Sequence, residues 1–260
     1  MYVKEVTVEN QVGLHARPAT FFIQKANEFK SSIWVEKEER RVNAKSLLGV
    51  LSLGIVGGTT IRIIADGADE QAAVDGLIKL VDIAPEEPGA LEFIAACHDE
   101  VRISIAHTCT SYDTANAAFD AGATHMTHLY NAMPGITHRA PGPIIAALED
   151  GADVELITDN VHIHPAVVRF TFNTFGDDHV ILIADSMMAC GLPDGAYSLG
   201  GQAVTVRGPR ATLTEHPDTI AGSATCLYDC MRRAVCEMGV PLESAVRAAT
   251  ENPARSIGVD

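Results

Sequence analysis

The N-terminal part of the chain alternates segments that favour strands with segments of helical period. Residues 2–8 are rich in β-branched side chains, and later segments of similar composition follow. From Ala16 onward the apolar residues recur at helical spacing, with Pro18 in the first turn, where its missing N–H costs nothing. The predicted strands are 2–8, 32–37, 40–43 and 59–65, and the predicted helices begin at Ala16 and also cover 47–53, capped by Ser46, and about 69–81. This alternation indicates a compact α/β domain.

The remainder of the chain consists of apolar runs that each end in a polar, chemically reactive residue. Runs without polar alternation are typical of strands buried on both faces of a parallel sheet. Because helical segments separate the runs, we predict successive βα units, and reactive residues at strand ends are the layout of the active face of a (β/α) barrel. The runs 101–106, 123–127, 154–158 and 179–184 end at His107, His128, Asp159 and Asp185, with helices predicted at 111–121 and 142–150.

Charge and composition change between the two parts. Residues 1–83 carry ten Lys and Arg against eleven Asp and Glu, whereas residues 84–260 carry nine against 23, contain no Lys and hold all six Cys. A formal net charge of −15 argues against a nucleic-acid groove or an anionic membrane surface as the partner. We therefore expect two domains of different origin, 1–82 and 83–260.

The chain has neither a membrane-span pattern nor an export pattern. No apolar run approaches the roughly 18 residues of a spanning helix, and the N-terminus has no signal-peptide core. The six cysteines form no CxxC pair, so we expect reduced thiols. We expect a cytoplasmic protein that neither inserts into a membrane nor binds nucleic acid.

His15 is the candidate reactive residue of the N-terminal segment. It lies just before the predicted helix start, and Arg17 follows within the first turn. A phosphate on the imidazole would be stabilised by the free N–H groups and positive dipole of the helix start, and by a charge-assisted contact from Arg17. The alternative is that His15 merely caps the helix and Arg17 is ordinary surface charge.

Two segments, GLHARPAT and AKSLLGVLSLGIVGGTTIRI, resemble HPr, the phosphocarrier of the bacterial phosphoenolpyruvate-dependent sugar phosphotransferase system. The resemblance covers residues 1–82 and implies an open-faced β-sandwich of the α+β type that needs no cofactor. It implies that His15 accepts phosphate from enzyme I and passes it to sugar-specific components, assisted by Arg17. It also implies that Ser46 is a regulatory serine phosphorylated by HPr kinase.

Two histidines and a carboxylate at neighbouring strand ends suit a divalent metal site. Neutral imidazoles bind Zn²⁺ or Fe²⁺, and a nearby carboxylate can take a proton from water at the metal. Each histidine alone could equally be a hydrogen-bonded core residue. Reactive residues at four consecutive strand ends favour the metal site.

The second segment, from Ile83 onward, resembles N-acetylglucosamine-6-phosphate deacetylases of the amidohydrolase superfamily. The resemblance is carried by IAHTCTSYDTA, THLYNAMPGITHRAPG, DNVHIHP, LIADSMMACGLPDGAYSLGG, TIAGSATCLYDCMRRAV and ATENPARSIGV. It implies that His107 and His128 are metal ligands and that Asp185 is the general base that activates water and then protonates the leaving amine. It also implies that His162 contacts the acetyl carbonyl of the substrate. The sugar phosphate would be bound by Asn131, Ala132 and Arg139.

Several elements of that family are not found in the chain. It has no HxH strand end upstream of His107 and no Glu-Gly-Pro-Phe element, and a complete barrel takes about 250 residues. We therefore expect an incomplete TIM-barrel half, a weakly held zinc or iron ion, and impaired hydrolysis of N-acetylglucosamine 6-phosphate to glucosamine 6-phosphate and acetate. The alternatives are a functional deacetylase with an HPr-like regulatory domain, and a product of gene fusion or sequence assembly. Another alternative is a homo-oligomer in which a second copy of the chain completes the half barrel.

The junction between the segments carries two incompatible patterns. The first predicts a helix through Leu77, Leu80 and Val81, whereas the second predicts that KLVDIAPE is a strand with Pro85 just after it. No linker rich in Gly, Ser or Pro separates the segments. We interpret the conflict as a sign that two chains were joined by recombination or assembly.

Overall fold

The computed structural model describes residues 1–8, 14, 16–56, 59–77, 79–199 and 201–259. The chain divides into two compact units, one of Met1–Lys79 with Tyr197–Val204 and one of Leu80–Ala196 with Thr205–Asp260. Among these described residues, no helix is long and apolar enough to cross a bilayer. All six cysteines are free thiols.

The first unit contains a four-stranded antiparallel sheet with the strand order β1-β4-β2-β3. Its strands are β1 (Tyr2–Val8), β2 (Ser32–Lys37), β3 (Arg40–Asn43) and β4 (Thr59–Asp66), and its helices are α1 (Ala16–Glu28), α2 (Leu47–Ser52) and α3 (Glu70–Asp75). Alternate residues of β2 and β4, such as Val35 and Ile63, form a buried core with Ala26 of α1 and Val74 of α3. The unit is therefore a sheet with helices packed on one face.

The second unit is built on a five-stranded parallel sheet whose order follows the chain, β5-β6-β7-β8-β9. A helix lies between each pair of consecutive strands. The strands are β5 (Leu80–Ile83), β6 (Arg102–Ile105), β7 (His125–Met126), β8 (Asp153–Ile157) and β9 (Val180–Ile183), and the helices are α4 (Ala90–Cys97), α5 (Tyr112–Asp120), α6 (Gly142–Asp150) and α7 (Pro165–Phe175). Ile103, Ile105, Leu156 and Leu182 are fully buried, as expected for strands covered on both faces. Parallel βα units in chain order are consistent with part of a (β/α) barrel.

The chain after β9 forms a small sheet and three further helices. These are β10 (Gly195–Leu199), β11 (Gln202–Arg207), β12 (Arg210–Leu213), α8 (Leu227–Cys236), α9 (Leu242–Ala249) and α10 (Glu251–Ser256). The last three helices pack against β9. The Asn252 side chain donates to the Val180 carbonyl at 2.7 Å, and Thr158 Oγ1 donates to the Cys230 carbonyl at 2.9 Å. These bonds fix the helices to the strands that precede the candidate site.

The junction is a strand, so the helix predicted over about 69–81 is wrong beyond Asp75. α3 is capped at Gly76, where a Cβ atom would lie 2.6 Å from the Phe29 ring and 2.9 Å from a backbone oxygen. The chain then enters β5, which pairs with β6 from Leu80 to Ile83. The long-range pairing with β6 overrides the local helical spacing of the apolar residues.

Candidate active site at the strand ends

Four candidate residues lie at equivalent positions, each two residues after a strand of the parallel sheet. His107, His128, Asp159 and Asp185 follow β6, β7, β8 and β9 in this way. Because the carboxyl ends of parallel strands meet at one edge of a sheet, the shared offset brings all four to the same edge. The sequence-predicted strand-end cluster is thus present in the structure.

Three of these residues have a left-handed backbone. The φ angles are 44° at His107, 33° at His128 and 46° at Asp185, and Ala132 and Asn160 nearby in the chain have φ of 52° and 64°. Residues other than glycine rarely adopt this region, and each instance costs about 1–3 kcal/mol. Such strain tends to cluster at functional sites, where the position of a side chain outweighs the cost in stability.

The two candidate metal-binding histidines are in direct contact. The Nε2 atoms of His107 and His128 are 2.9 Å apart, and the rings meet edge to face with centroids 4.6 Å apart. His128 is 7% exposed, whereas His107 is exposed to solvent. Although the residue as a whole is exposed, partial burial of its ring and the neighbouring His128 lower the pKa of His107, against the attraction of Asp82. A lowered pKa keeps the imidazole neutral, which is the form that binds metals.

The donor set fits a divalent metal only in part. Two imidazole nitrogens converge, and Nδ1 of His128 is buried without a hydrogen-bond partner. Within the described part of the chain, no group of three or more His, Cys, Asp or Glu side chains is arranged to hold a metal. Catalytic zinc sites ordinarily use three protein ligands. The described residues therefore supply two of the three protein ligands that such a site ordinarily uses.

Asp185, after β9, has a carboxyl group whose pKa is raised above its ordinary value. Burial raises the pKa of its carboxyl, reinforced by Glu155 and Asp159 and opposed by His128 and His162. Its backbone carbonyl accepts from the Ser223 N–H at 2.8 Å, which fixes the strand end. A carboxyl group with a raised pKa takes up a proton more readily than an ordinary one, as a group that accepts and then returns a proton must.

Asp159 and His162 form a buried pair after β8. His162 Nδ1 lies 2.8 Å from Asp159 Oδ2, and the side chains of His162 and Asp159 are 5% and 0% exposed. Asp159 Oδ1 accepts the backbone N–H groups of Val161 and His162, both at 2.9 Å. Burial alone would raise the pKa of Asp159, but these hydrogen bonds and the charge of His162 outweigh it and lower that pKa.

Three further carboxylates support this edge and were missed by the sequence analysis. Glu86 accepts from Thr108 Oγ1 and from the Cys109 N–H, and so holds the loop that carries His107. Glu155 contacts His125 Nε2 at 3.1 Å and accepts from the His128 N–H at 3.4 Å, and Asp82 accepts from Thr127 Oγ1 at 2.6 Å. A lone acidic residue within an apolar run, as at Asp82 and Glu155, is the sequence signal that could have found two of them.

The residues predicted to bind the sugar phosphate lie after His128. The Asn131 side chain donates to the carbonyls of His128 and Leu129 at 3.1 and 3.2 Å, and Ala132 follows in a left-handed conformation. Arg139 is exposed, and no hydrogen bond or ion pair joins it to the other candidate residues that the structure describes. The structure thus brings Asn131 and Ala132 next to the histidine pair but leaves the role of Arg139 a prediction.

The N-terminal candidate residues are described only in part. His15 lies outside the described residues, and Arg17 is placed in the first turn of α1 without a described side chain. Ser46 is the N-cap of α2, as predicted, and its Oγ accepts from the Gly49 N–H at 3.2 Å.

Two family models match overlapping parts of the chain. The model for the PTS HPr component phosphorylation site matches residues 2–82, and the amidohydrolase family model matches residues 56–260. These matches confirm the two resemblances inferred from the motifs. The described second unit, with its parallel βα sheet, falls within the amidohydrolase match.

Several known proteins similar to the chain are deacetylases of amino-sugar phosphates. N-acetylglucosamine-6-phosphate deacetylase of Bacillus subtilis is 36% identical over 93% of this chain and 65% of its own length. N-acetylgalactosamine-6-phosphate deacetylase of Escherichia coli O157:H7 is 37% identical over 70% of this chain and 48% of its own length. The solved structure of the Mycobacterium smegmatis N-acetyl-D-glucosamine-6-phosphate deacetylase is 42% identical, with a TM-score of 0.68, over 72% of this chain and 51% of that one.

The chain spans about half to two thirds of the length of these relatives. Its amidohydrolase match nevertheless covers most of its residues, including every candidate residue of the strand-end site. The chain therefore belongs to the amidohydrolase family and carries an HPr segment at its N-terminal end.

Proposed function

We propose that residues 83–260 hydrolyse the acetamide bond of an N-acetylhexosamine 6-phosphate, with N-acetylglucosamine 6-phosphate as the first candidate. The observation that carries this proposal is the shared position of His107, His128 and Asp185, each two residues past a parallel strand and each left-handed. The deacetylase relatives support the substrate class.

Zinc or iron is the metal that we propose for this site. His107 and His128 would hold it through their Nε2 atoms, and we expect weak binding because the described residues offer no third ligand beside them. When bound, the metal supplies Lewis-acid polarisation of the acetyl carbonyl and lowers the pKa of water.

Residues of the chain then transfer the proton and bind the substrate. Asp185 takes a proton from the attacking water, whose oxygen bonds to the acetyl carbon, and returns it to the nitrogen as the C–N bond breaks. The products are acetate and a hexosamine 6-phosphate. His162 contacts the acetyl carbonyl oxygen, whereas Asn131, Ala132 and Arg139 receive the phosphate, Arg139 as a charged, bidentate donor.

Acetate release from N-acetylglucosamine 6-phosphate, with added zinc or iron, tests the deacetylase proposal. We expect turnover well below that of a full-length relative, and a further loss of at least about a hundredfold in Asp185→Asn, because the amide cannot carry the proton. Asp120→Asn, an exposed change of the same kind on α5, is the control. No metal-dependent acetate release at all would overturn the proposal, and turnover within about tenfold of the relative would overturn the expected impairment.

We further propose that residues 1–82 carry a phosphoryl group on His15, taken from enzyme I and passed to sugar-specific components. The match to the HPr phosphorylation-site model supports this second activity. Arg17 would assist the transfer, and HPr kinase would phosphorylate Ser46, whose N-cap position allows the helix dipole to stabilise a phosphate. These partners are cytoplasmic, and we place the protein there.

Labelling with phosphoenolpyruvate and enzyme I tests the carrier activity. We expect one acid-labile phosphate per chain, lost in His15→Ala and retained in His98→Ala, a histidine at the end of α4. Equal labelling of His15→Ala would contradict the proposal. An ATP-dependent, acid-stable phosphate from HPr kinase, absent in Ser46→Ala, checks the regulatory site.

A further inference from the structure

We propose that Asp159 is a positioning residue that holds His162 with its proton on Nδ1, so that Nε2 is the nitrogen presented to the substrate. The substrate contact of His162 rests on the proposed function. Which nitrogen of its ring carries the proton does not depend on that function. The proposal follows from how each oxygen of the Asp159 carboxylate is used.

The two carboxylate oxygens of Asp159 have different partners. Oδ1 accepts the N–H groups of Val161 and His162 at 2.9 Å each, and Oδ2 faces His162 Nδ1 at 2.8 Å. An ionised carboxylate can only accept hydrogen bonds. Nδ1 must therefore be the donor, and a neutral His162 has its lone pair on Nε2. The hydrogen bonds that lower the pKa of Asp159 favour this ionised form.

The loop that carries the pair is held in place from α8. Arg233 donates to the Asp159 carbonyl, and the Asn160 side chain donates to Glu237. Thr158, on the other side of Asp159, donates to the Cys230 carbonyl at 2.9 Å. Because three consecutive residues are held by α8 and its C-cap, the carboxylate has little freedom to exchange its two oxygens.

Nε2 of His162 is left for a ligand. It makes no hydrogen bond within the described part of the chain, although its side chain is only 5% exposed. The charge of His162 also acts on Asp185, so the ring lies near the proposed general base. Because Nδ1 already carries the proton donated to Asp159, Nε2 can donate to a carbonyl oxygen only when a second proton makes the ring an imidazolium. The Asp159 carboxylate supplies the countercharge for that cation.

The Asp159→Asn variant separates positioning from structural support. The amide oxygen must take the Oδ1 position to accept the two backbone N–H groups, which puts the NH₂ group against His162 Nδ1. Two donors cannot face each other, so Nδ1 becomes the acceptor and the proton moves to Nε2. The variant keeps the backbone bonds and changes the tautomer, which a merely structural role would not predict.

Long-range ¹H–¹⁵N NMR on the full chain with ¹⁵N-labelled histidine measures this directly, at roughly pH 9, where an imidazole is neutral. We expect His162, identified by His162→Gln, to be protonated on Nδ1 in the wild type and on Nε2 in Asp159→Asn. Asp120→Asn, the exposed control, should leave the His162 signals unchanged. We also expect acetate release in Asp159→Asn to fall by about 10²–10⁴-fold.

Either of two results overturns the proposal: an Nε2-protonated His162 in the wild type, or an Nδ1-protonated His162 in Asp159→Asn. If the variant does not fold, the wild-type spectrum alone decides. A wild-type chain that releases no acetate contradicts the proposed function but leaves the tautomer assignment standing, so the two failures are distinguishable.

Discussion

His107, His128 and Asp185 share a backbone conformation that L-amino acids avoid, with φ between 33° and 46°. Glycine would adopt it without the penalty of about 1–2 kcal/mol per residue that a Cβ atom causes. The chain therefore keeps reactive side chains at positions where glycine would be more stable. Asn160 is a milder case, because asparagine tolerates this conformation better than most residues do.

The strain at His107 predicts an unusual order of stability for two substitutions. Both His107→Gly and His107→Ala remove the imidazole, but only glycine relieves the positive φ, so we expect the glycine variant to be more stable by about 1 kcal/mol. Urea unfolding of the two variants measures the difference. His98, with φ of −61°, is the matched control, and there the alanine variant should be the more stable. Equal stability of the two His107 variants would contradict the strain.

At the scale of elements, the sequence pattern predicted local structure better than long-range partners. The strands at 32–37 and 40–43 lie where they were predicted, because alternation along one strand is a local property. The helix over about 69–81 failed because its last residues pair with β6, far along the chain. Glu86 was missed for the same reason, since its contacts with Thr108 and Cys109 depend on two strands lying side by side.

Another long-range contact, made by the Asp69 carboxylate, predicts how the stability of the first unit changes at low pH. Asp69, just before α3, accepts from the backbone N–H groups of Lys30 and Ser31 at 2.7 and 2.8 Å, and from the Ser31 hydroxyl. The Ser31 hydroxyl first, and then the Lys30 amide, lower the pKa of Asp69 from 3.8 to about 2. Because the folded pKa is the lower one, the stabilisation is present above about pH 4 and is lost as the pH falls toward 2.

Asp69→Asn should therefore lower the unfolding midpoint at pH 6, and the difference from the wild type should shrink below pH 4. Trp34, the only tryptophan of the chain, lies in β2, so its fluorescence reports on the first unit. The exposed Glu39→Gln, in the β2–β3 turn, serves as the control. A difference that stays constant from pH 6 to pH 2 would show that Asp69 contributes through packing and not through its charge.

For the whole molecule, the two units have separate cores and separate candidate chemistry. The catalytic and metal-binding candidates of the proposed deacetylase lie after β5, whereas His15, Arg17 and Ser46 precede it. The two family matches overlap over residues 56–82, where α3 ends and β5 begins. The motifs allowed both families to be inferred from sequence, but only the strand pairing of β5 shows how a chain can pass from one pattern to the other within a few residues.

That passage predicts a tryptic peptide at the junction of the two matched segments. Trypsin cleavage after Lys79 and Arg102 releases LVDIAPEEPGALEFIAACHDEVR, which begins at the first residue of β5 and contains α4. We expect mass spectrometry of the source organism's lysate to detect it together with peptides 46–62 and 211–232, which represent the two segments. Strong signals for those two without the junction peptide would mean that the carrier and the deacetylase are separate proteins. Detection of its extended form 63–102, in which Lys79 is uncleaved and the peptide starts within β4, makes the two activities properties of one polypeptide, so that His15→Ala and Asp185→Asn can each be assayed for an effect on the other reaction.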